Sequence, residues 1–436
     1  MSGEKCFDVL HKIFIPKNKN NAKEIKGYTI KYGHIVDNGQ IVDEVLVSFF
    51  LKPKSYTTEN MCEIQTHGGN LIVKKILELC LKNGADMAEP GEFTKRAFLN
   101  GRIDLLQAES VIDVIEAKSE KELKAGINQL EGRLSKEIQK IKQKIMDVMV
   151  NIEVDIDYPE YDIEEVAYND IEKMIEDVIK DLEHLEKSFD DGKILKEGIK
   201  TAIIGKPNAG KSSLLNLILN EDRAIVTEIE GTTRDTIEEF VTINGVPLKL
   251  IDTAGIREAK DEVEKIGIEK SKEMAKDADL IIAIFDSSKK LTEEDINILE
   301  LIKDKQCIIV LNKIDLEQKI NENTKQINET SKNIVKMSMK EQNGLKDLYK
   351  KISELFSFEK INVDNSTIIT NVRHKNLISK ALKSCFEVKK EMANKMPLDI
   401  IAISLKDILE CLGNITGDVV SEDIINEIFS KFCLGK

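Results

Sequence analysis

The chain has 436 residues, which is too long for one ordinary hydrophobic core, so two or three domains are expected. Its formal net charge of −14 excludes a surface that attracts nucleic acid over its whole extent, so an RNA partner requires a local basic patch or a second protein. Seven scattered cysteines without a CxxC pair, and no apolar run near the roughly 20 residues of a membrane span, predict a reduced, soluble, cytoplasmic protein without membrane contact.

Residues 1–115 combine strand-like and helix-like patterns. Residues 44–51 and 62–66 form short strand-like runs, whereas residues 71–82 carry apolar side chains at helical spacing. This mixture predicts an N-terminal α+β domain.

The following segment, 116–197, has an almost entirely helical pattern. Apolar residues recur there at three- and four-residue spacing, as in an amphipathic helix. They are Ile127, Leu130, Leu134, Ile138, Ile141 and Ile145. An acidic stretch around Pro159 interrupts the pattern, and because proline cannot continue a helix, we expect a turn there.

Residues 198–357 alternate between strand-like and helix-like runs. The predicted strands are 200–204, 247–251, 280–285 and 307–311. This alternation predicts an α/β domain with a parallel sheet and helices on both faces. Residues 358–436 are helical in pattern again. The simplest architecture is therefore a helical domain made from 116–197 and 358–436, with the α/β domain inserted between its two parts.

The segment 205–212, GKPNAGKS, matches the phosphate-binding loop pattern GxxxxGK[ST]. It follows a predicted strand and precedes a helical run, which is the context that the pattern requires. Its glycines let backbone N–H groups turn toward phosphate oxygens at the start of a helix. Lys211 would neutralise the β- and γ-phosphates, and Ser212 would ligate magnesium.

Three further segments complete a guanine-nucleotide site. Asp252 opens the sequence DTAG after a predicted strand and would hold magnesium through water, while Gly255 would donate its N–H to the γ-phosphate. Asp315 closes the sequence NKID and can accept both guanine N–H donors, which adenine lacks, so it would select GTP over ATP. The sequence SMK at 338–340 stands where such proteins carry Ser-Ala-Lys, and a backbone N–H there would reach guanine O6.

The segment 231–235, GTTRD, lies between the phosphate loop and DTAG. Its Thr233 is the best candidate to close over magnesium when the γ-phosphate is present. The residue after DTAG is Ile256, where Ras-like proteins carry a glutamine that orients the attacking water. Isoleucine has no polar group, so hydrolysis requires another water-positioning residue and another positive charge.

These segments resemble the tRNA modification GTPase family MnmE/TrmE over essentially the whole chain. The stretches that carry the resemblance are Gly205–Asn216, Ala224–Asp235, Asp252–Glu269, Pro90–Gly101 and the C-terminal Phe432–Lys436. The family usually ends in Cys-Ile-Gly-Lys, so Leu434 is a small departure. The resemblance implies a multidomain protein: an N-terminal α+β domain for tetrahydrofolate binding and dimerisation, a helical domain in two chain segments, and an inserted Ras-like P-loop GTPase domain.

The resemblance also implies a reaction. A GTPase of this family, acting with an FAD-dependent partner subunit of the MnmG/GidA type, adds an aminomethyl or carboxymethylaminomethyl group to carbon 5 of the wobble uridine of certain tRNAs. A tetrahydrofolate derivative, 5-formyl- or methylene-tetrahydrofolate, supplies the one-carbon unit. GTP hydrolysis with Mg²⁺ opens and closes paired G domains of a homodimer, and K⁺ takes the place of an arginine finger.

The resemblance implies nucleotide-binding residues at the positions of this sequence that match the family's motifs. The GTP site comprises Asn208, Ala209, Gly210, Lys211, Ser212, Ser213, Thr227, Thr232, Thr233, Asp252, Thr253, Ala254, Gly255, Asn312, Lys313, Asp315, Ser338 and Lys340. Magnesium would be held by Ser212 and Thr233. Potassium would take the side-chain oxygen of Asn208 and the backbone carbonyls of Thr227, Ile229 and Thr232.

The family's catalytic and folate residues are carried over in the same way. Glu264 matches the glutamate that positions the hydrolytic water; without the resemblance it is an acidic residue on a solvated helix surface. Folate would contact Glu63, Arg102 and Lys436, with the carboxylate on the pterin and the cations on the glutamate tail. From the residues alone, the alternative is that Arg102 is a surface charge. Cys433 is either a reactive thiol or a small buried side chain.

Three other functions are compatible with parts of the sequence. A ribosome-assembly GTPase of the Era/Der kind has the same nucleotide motifs but carries an RNA-binding appendage, often basic, after the G domain. A membrane-remodelling GTPase requires a basic amphipathic segment, and no convincing one is found. A folate-dependent transferase with a purely regulatory G domain is contained within the family's own activity.

The start of the sequence departs from the family. The family's first strand ends in a segment resembling Leu-Arg-Ile-Ser-Gly, whose arginine contacts folate, and Ser2-Gly3 aligns with the end of that segment. About twenty residues would then be missing, which would leave unpaired N–H and C=O groups on a sheet edge. On this expectation, folate binding is weakened and GTP binding is unaffected.

Overall fold

The computed structural model of the protein describes residues 1–18, 26–157, 164–221, 239–251, 275–356, 363 and 367–435. The chain divides into two compact units, each assembled from separate stretches. The first comprises Met1–Ile112, Gln129–Met174 and Ser384–Lys436, and the second comprises Asp113–Asn128 and Ile175–Lys383. Parts of both helical segments, 116–197 and 358–436, therefore enter both units. The turn predicted around Pro159 lies outside the described residues.

A four-stranded antiparallel sheet forms the centre of the first unit. Its strands, in spatial order, are β1 (Phe14–Pro16), β2 (Thr29–Asp37), β3 (Gln40–Phe50) and β4 (Met61–Gln65). The β2–β3 hairpin turns at Asn38-Gly39, both with positive φ, as a two-residue hairpin loop requires. The predicted α+β character of the N-terminal region is confirmed.

Two helices, α1 (Cys6–Ile13) and α2 (Asn70–Lys82), pack against this sheet, and five more of the helices that the structure describes belong to the same unit. These are α3 (Glu92–Leu99), α4 (Leu105–Glu116), α6 (Arg133–Asp157), α13 (Leu398–Thr416) and α14 (Glu422–Ser430). Within α6, the predicted apolar face is buried from Leu134 to Ile145. Ile127 belongs instead to a separate helix and is 40% exposed, because Gly132, with a φ of 77°, separates the two helices.

A six-stranded sheet forms the centre of the second unit, in the order β10-β9-β8-β5-β7-β6. The strands are β5 (Ile199–Gly205), β6 (Glu239–Ile243), β7 (Val246–Leu250), β8 (Leu280–Asp286), β9 (Cys307–Asn312) and β10 (Ile334–Lys336). The helices are α5 (Glu120–Leu130), α7 (Glu164–Glu197), α8 (Lys211–Glu221), α9 (Glu293–Ile302), α10 (Lys325–Thr330), α11 (Leu345–Leu355) and α12 (Val372–Ala393), of which α7 and α12 continue into the first unit.

The four predicted strands all lie in this sheet and pair in parallel, whereas β10, which is also parallel, and the edge strand β6 were not predicted. Strand β6 pairs antiparallel with β7, because Asn244-Gly245 forms a two-residue hairpin turn with φ of 48° and 81°. Successive β5 residues face opposite sides: Ile203 packs into one hydrophobic cluster and Ile204 into another. Apolar cores on both faces confirm the α/β class.

The parallel strands β5, β8 and β9 end at one edge of the sheet, which is where ligands bind in open α/β folds. The phosphate loop follows β5 and the NKID segment follows β9, so the fold places both motifs at that edge. Within the part of the chain that the structure describes, no helix is long and apolar enough to cross a membrane.

Candidate nucleotide site

The phosphate loop is a tight turn between β5 and α8. Three of its residues have positive φ: Gly205 at 155°, Asn208 at 62° and Gly210 at 118°. A Cβ atom on Gly210 would lie 2.4 Å from Nδ2 of Asn312, and one on Gly205 would lie 2.5 Å from the carbonyl oxygen of Ile284. Glycine is therefore required at both positions, which explains the spacing of the motif.

Lys211 is the first residue of α8, and its ammonium group turns back over the loop. It donates hydrogen bonds to the carbonyl oxygens of Gly205 at 2.7 Å and Lys206 at 2.9 Å. Burial lowers the pKa of Lys211, because a charged group loses hydration there. The loop thus holds a poorly hydrated cation at the start of a helix, an arrangement suited to a phosphate group. Ser212 and Ser213 follow in the first turn.

Asn312 connects the phosphate loop with the base-recognition segments. Its Nδ2 donates to the carbonyl oxygen of Ala209 at 2.7 Å, and its Oδ1 accepts from the backbone N–H of Met339 at 3.2 Å. Asn312 is 3% exposed, so both hydrogen bonds are shielded from water. The backbone N–H of Met339, the middle residue of the SMK segment, thus already has a protein partner.

Asp315 lies at the exposed end of the NKID segment. Its Oδ1 accepts a 2.7 Å hydrogen bond from Oγ of the fully buried Ser338. This hydrogen bond lowers the pKa of the Asp315 carboxyl, with a smaller contribution from the nearby charge of Lys340. Asp315 is therefore held ionised and oriented, as a carboxylate that accepts two guanine donors must be.

Asp286 is a site residue that sequence reasoning missed. It is the last residue of β8, and its Oδ2 lies 2.7 Å from Nζ of Lys313, which has a φ of 66°. Burial opposes ionisation of Asp286, but the hydrogen bonds from Lys313 and Ser288 outweigh it and lower the pKa. An acidic residue ending a central strand, beside two motif-bearing strands, was the signal available in the sequence.

Several predicted residues lie outside the described residues. They are Thr227, Ile229, Thr232, Thr233, Asp252, Thr253, Ala254, Gly255, Ile256, Glu264 and the C-terminal Lys436. Their predicted roles stay predictions. The phosphate loop, Asn312 to Asp315, and Ser338 to Lys340 are described, and the contacts above bring these three segments together.

The candidate folate residues lie in the first unit. Glu63 is exposed on β4, opposite Ser48 of β3. Arg102 is exposed too; its guanidinium stacks 4.7 Å from the ring centroid of Tyr56 and donates to the Tyr56 carbonyl at 3.1 Å. A guanidinium has five N–H donors, so the Tyr56 contact orients Arg102 without exhausting its capacity for an anion.

A buried carboxylate, Asp43, orients the loop that precedes α2. It accepts hydrogen bonds from the backbone N–H of His67 at 3.0 Å and pairs with Nδ1 of the same residue at 2.8 Å. Asp43 raises the pKa of His67 through the side-chain hydrogen bond and its charge. Asp43 was not among the residues singled out from the sequence. Cys433 is exposed, which excludes the buried alternative for that thiol.

Comparisons with known proteins cover the whole chain. The family described as "MnmE helical domain" matches residues 105–433, and "GTP-binding protein TrmE N-terminus" matches residues 1–102. A tRNA modification GTPase MnmE from Clostridioides difficile (strain 630) is 50% identical over 436 residues, covering 100% of this chain and 95% of the relative. Proteins of the same name from Acetivibrio thermocellus and Alkaliphilus oremlandii are 49% and 48% identical, with the same coverage.

Proposed function

The chain belongs to the MnmE family of tRNA modification GTPases, and from this we propose that its GTP hydrolysis serves the addition of an aminomethyl or carboxymethylaminomethyl group to carbon 5 of the wobble uridine of certain tRNAs. The matched families span both the N-terminal and the helical segments, which favours this function over a ribosome-assembly GTPase. The reaction takes place in the cytoplasm.

The Asn312 bridge is the observation that supports the nucleotide part of this proposal most strongly. It joins the loop that would hold phosphate to the loop that would hold the base, through hydrogen bonds of 2.7 and 3.2 Å. A change at Asn312 would therefore disturb both the loop that would hold phosphate and the loop that would hold the base. Asp315, oriented by Ser338, would select guanine by accepting its two N–H donors.

Residues of the second unit would also hold the metal ions. Ser212 and Thr233 would ligate Mg²⁺, which neutralises charge on the β- and γ-phosphates. Asn208 lies exposed in the phosphate loop with a φ of 62°. Its side-chain oxygen would bind K⁺ together with the backbone carbonyls of Thr227, Ile229 and Thr232. Glu264 would orient the hydrolytic water.

Folate binding and association with the partner subunit would involve the parts of the chain outside the G domain. We assign tetrahydrofolate binding and dimerisation to residues 1–115, with contacts from Glu63, Arg102 and Lys436. The helical domain would be made from 116–197 and 358–436, with the G domain at 198–357 inserted between these two segments of the sequence. An FAD-dependent subunit of the MnmG/GidA type would join the homodimer and tRNA in the complete reaction.

Mass spectrometry of wobble uridines tests the proposed reaction directly. Cells that lack this protein are expected to lose the carbon-5 group, and expression of the parent chain is expected to restore it. Cells without the protein that keep a fully modified uridine would contradict the function.

A steady-state assay of the purified protein tests the proposed hydrolysis. K⁺ is expected to stimulate GTP hydrolysis over Na⁺, and Asn208→Ala should remove the difference. Glu264→Ala should lower kcat by roughly 10²- to 10⁴-fold with nucleotide affinity little changed, as for a lost water-positioning group. Equal rates in both salts for folded, GTP-binding parent protein would exclude potassium, and a loss below about threefold would exclude Glu264.

A further inference from the structure

An ion pair anchors the phosphate loop to a helix that carries none of the nucleotide motifs. Nζ of Lys206, the second residue of the loop, lies 2.6 Å from Oδ2 of Asp295 and 2.8 Å from Oγ1 of Thr292. The pair is well shielded, since the Lys206 side chain is 19% exposed and the Asp295 side chain 6%. Such a pair is screened far less than a surface pair.

Asp295 is itself held by the start of α9. The same Oδ2 atom accepts hydrogen bonds from the backbone N–H of Thr292 at 2.8 Å and from its hydroxyl at 2.9 Å. This is a capping box, in which the residue before the helix and the third residue within it bond to each other. The carboxylate therefore has a fixed position from which to hold Lys206.

Lys206 transmits that position to Lys211, the lysine of the loop that would neutralise the phosphates. Its backbone carbonyl accepts the 2.9 Å hydrogen bond from Nζ of Lys211, while its side chain is held by Asp295. The same carbonyl accepts the N–H of Ala209 at 3.2 Å, which closes the loop. A displaced Lys206 would therefore displace both the loop and the ammonium group above it.

We propose that Asp295 is a positioning residue for nucleotide binding, which acts through Lys206 to hold the phosphate loop and Lys211 in the geometry that receives the phosphates. Asp295 lies outside every nucleotide motif of the sequence, and its contact with the phosphate loop is the ion pair with Lys206. Its effect rests on the GTP-binding role of the second unit and is independent of the tRNA reaction.

Titration of the full chain with N-methylanthraniloyl-GDP and Mg²⁺ tests this proposal. Asp295→Asn is expected to weaken binding about tenfold, the size of effect that the loss of one charge-assisted hydrogen bond to a binding loop produces. Lys206→Met is expected to weaken it similarly. In the double variant, Asp295→Asn should add nothing to Lys206→Met, because the aspartate acts through the lysine.

Glu294→Gln is the matched control. It removes one negative charge from the same first turn of α9, but Glu294 is exposed, so its loss leaves the loop untouched and affinity unchanged. Parental affinity in Asp295→Asn, or a full tenfold loss that persists in the Lys206→Met background, would overturn the proposal. If Asp295→Asn fails to fold, Lys206→Met decides alone, and parental affinity in that variant would overturn it. Parent protein that binds the probe but leaves tRNA unmodified would contradict only the proposed tRNA reaction.

Discussion

The nucleotide edge of the second unit and the candidate folate surface of the first differ in how their residues are held. At the nucleotide edge, Asn312 bonds to two other loops and Asp315 is held by a buried serine. At the folate surface, Glu63 is exposed on a strand and Arg102 is oriented by a single tyrosine. Substitutions at the nucleotide edge should therefore disturb several loops and have large effects, whereas substitutions at the folate surface should have small, local effects.

Gly210→Ala should give the largest effect. The added methyl would meet Asn312 Nδ2 at 2.4 Å and Met339 Sδ at 2.7 Å, at a φ of 118°. Backbone strain and the loss of the hydrogen bond between Asn312 and Ala209 together cost about 4 kcal/mol, or roughly 10³-fold in GTP affinity. Fluorescent nucleotide titration measures this loss.

Gly68→Ala is the matched control in the first unit. Gly68 also has a positive φ, 77°, but a methyl group there would meet nothing within 4 Å. The expected cost is about 1 kcal/mol of stability from the backbone alone, with GTP affinity unchanged. Equal GTP affinity in Gly210→Ala and Gly68→Ala would contradict the predicted sensitivity of the nucleotide edge.

Asp315→Asn should give the second largest effect. An asparagine places an N–H₂ group or a single acceptor where guanine presents two donors, so GTP affinity should fall roughly 10²-fold. Xanthosine nucleotides, which present an acceptor at that edge, should bind the variant better than they bind the parent. Isothermal titration with both nucleotides checks this, and unchanged GTP affinity would show that Asp315 does not contact the base.

The part of this architecture that was predictable from sequence depends on local rules. Gly205 and Gly210 must adopt positive φ, which fixes the spacing of the two glycines in the phosphate loop. The loop can therefore be recognised from its sequence motif alone. Asp286 and Asp295 escape detection, because each acts on a motif lysine from a distant part of the chain. The antiparallel edge strand β6 was missed although Asn244-Gly245 is a recognisable hairpin signal.

The assignment of each helix to one of the two compact units was harder to predict from the sequence. Helical periodicity locates α6 and its buried face, but it does not show that α5 joins the second unit while α6 joins the first. That assignment depends on tertiary contacts such as Asn128 Nδ2 donating to the carbonyl of Val363, which connects residues far apart in sequence. Spacing rules describe one helix at a time and carry no information on such partners.

Arg102→Ala tests the candidate folate surface, where the side chains have fewer contacts with the rest of the protein. We expect about a tenfold loss of affinity for 5-formyltetrahydrofolate, because an exposed cation contributes one charge-assisted contact. Tyr56→Leu should cause a smaller loss, since it removes only the ring on which the guanidinium stacks. Lys82→Ala, which removes another exposed cation at the end of α2, is the control. Calorimetric titration that shows equal affinity in all four proteins would exclude Arg102 from the folate site.

The smallest effect is expected at Glu122, a buried carboxylate of the second unit that contrasts with the exposed Glu63 of the first. Glu122 is 7% exposed and accepts the backbone N–H of Lys118 at 2.7 Å. Burial raises its pKa from 4.5 to about 7, and the Lys118 hydrogen bond offsets this only in part. Because the folded pKa lies above the unfolded one, the folded state binds more protons between these values, and stability falls as pH rises from 4.5 through 7.

Glu122→Gln should therefore stabilise the protein at pH 8 and change little at pH 5. The gain is about 1 kcal/mol, below the roughly 3 kcal/mol that the pKa shift alone implies, because a neutral amide is a weaker acceptor for the Lys118 N–H. Thermal unfolding of parent and variant at both pH values measures it, with Glu63→Gln as the exposed control. If Glu122→Gln and Glu63→Gln change the stability equally at both pH values, Glu122 is hydrated in solution. The predicted difference between a buried Glu122 and an exposed Glu63 would then be wrong.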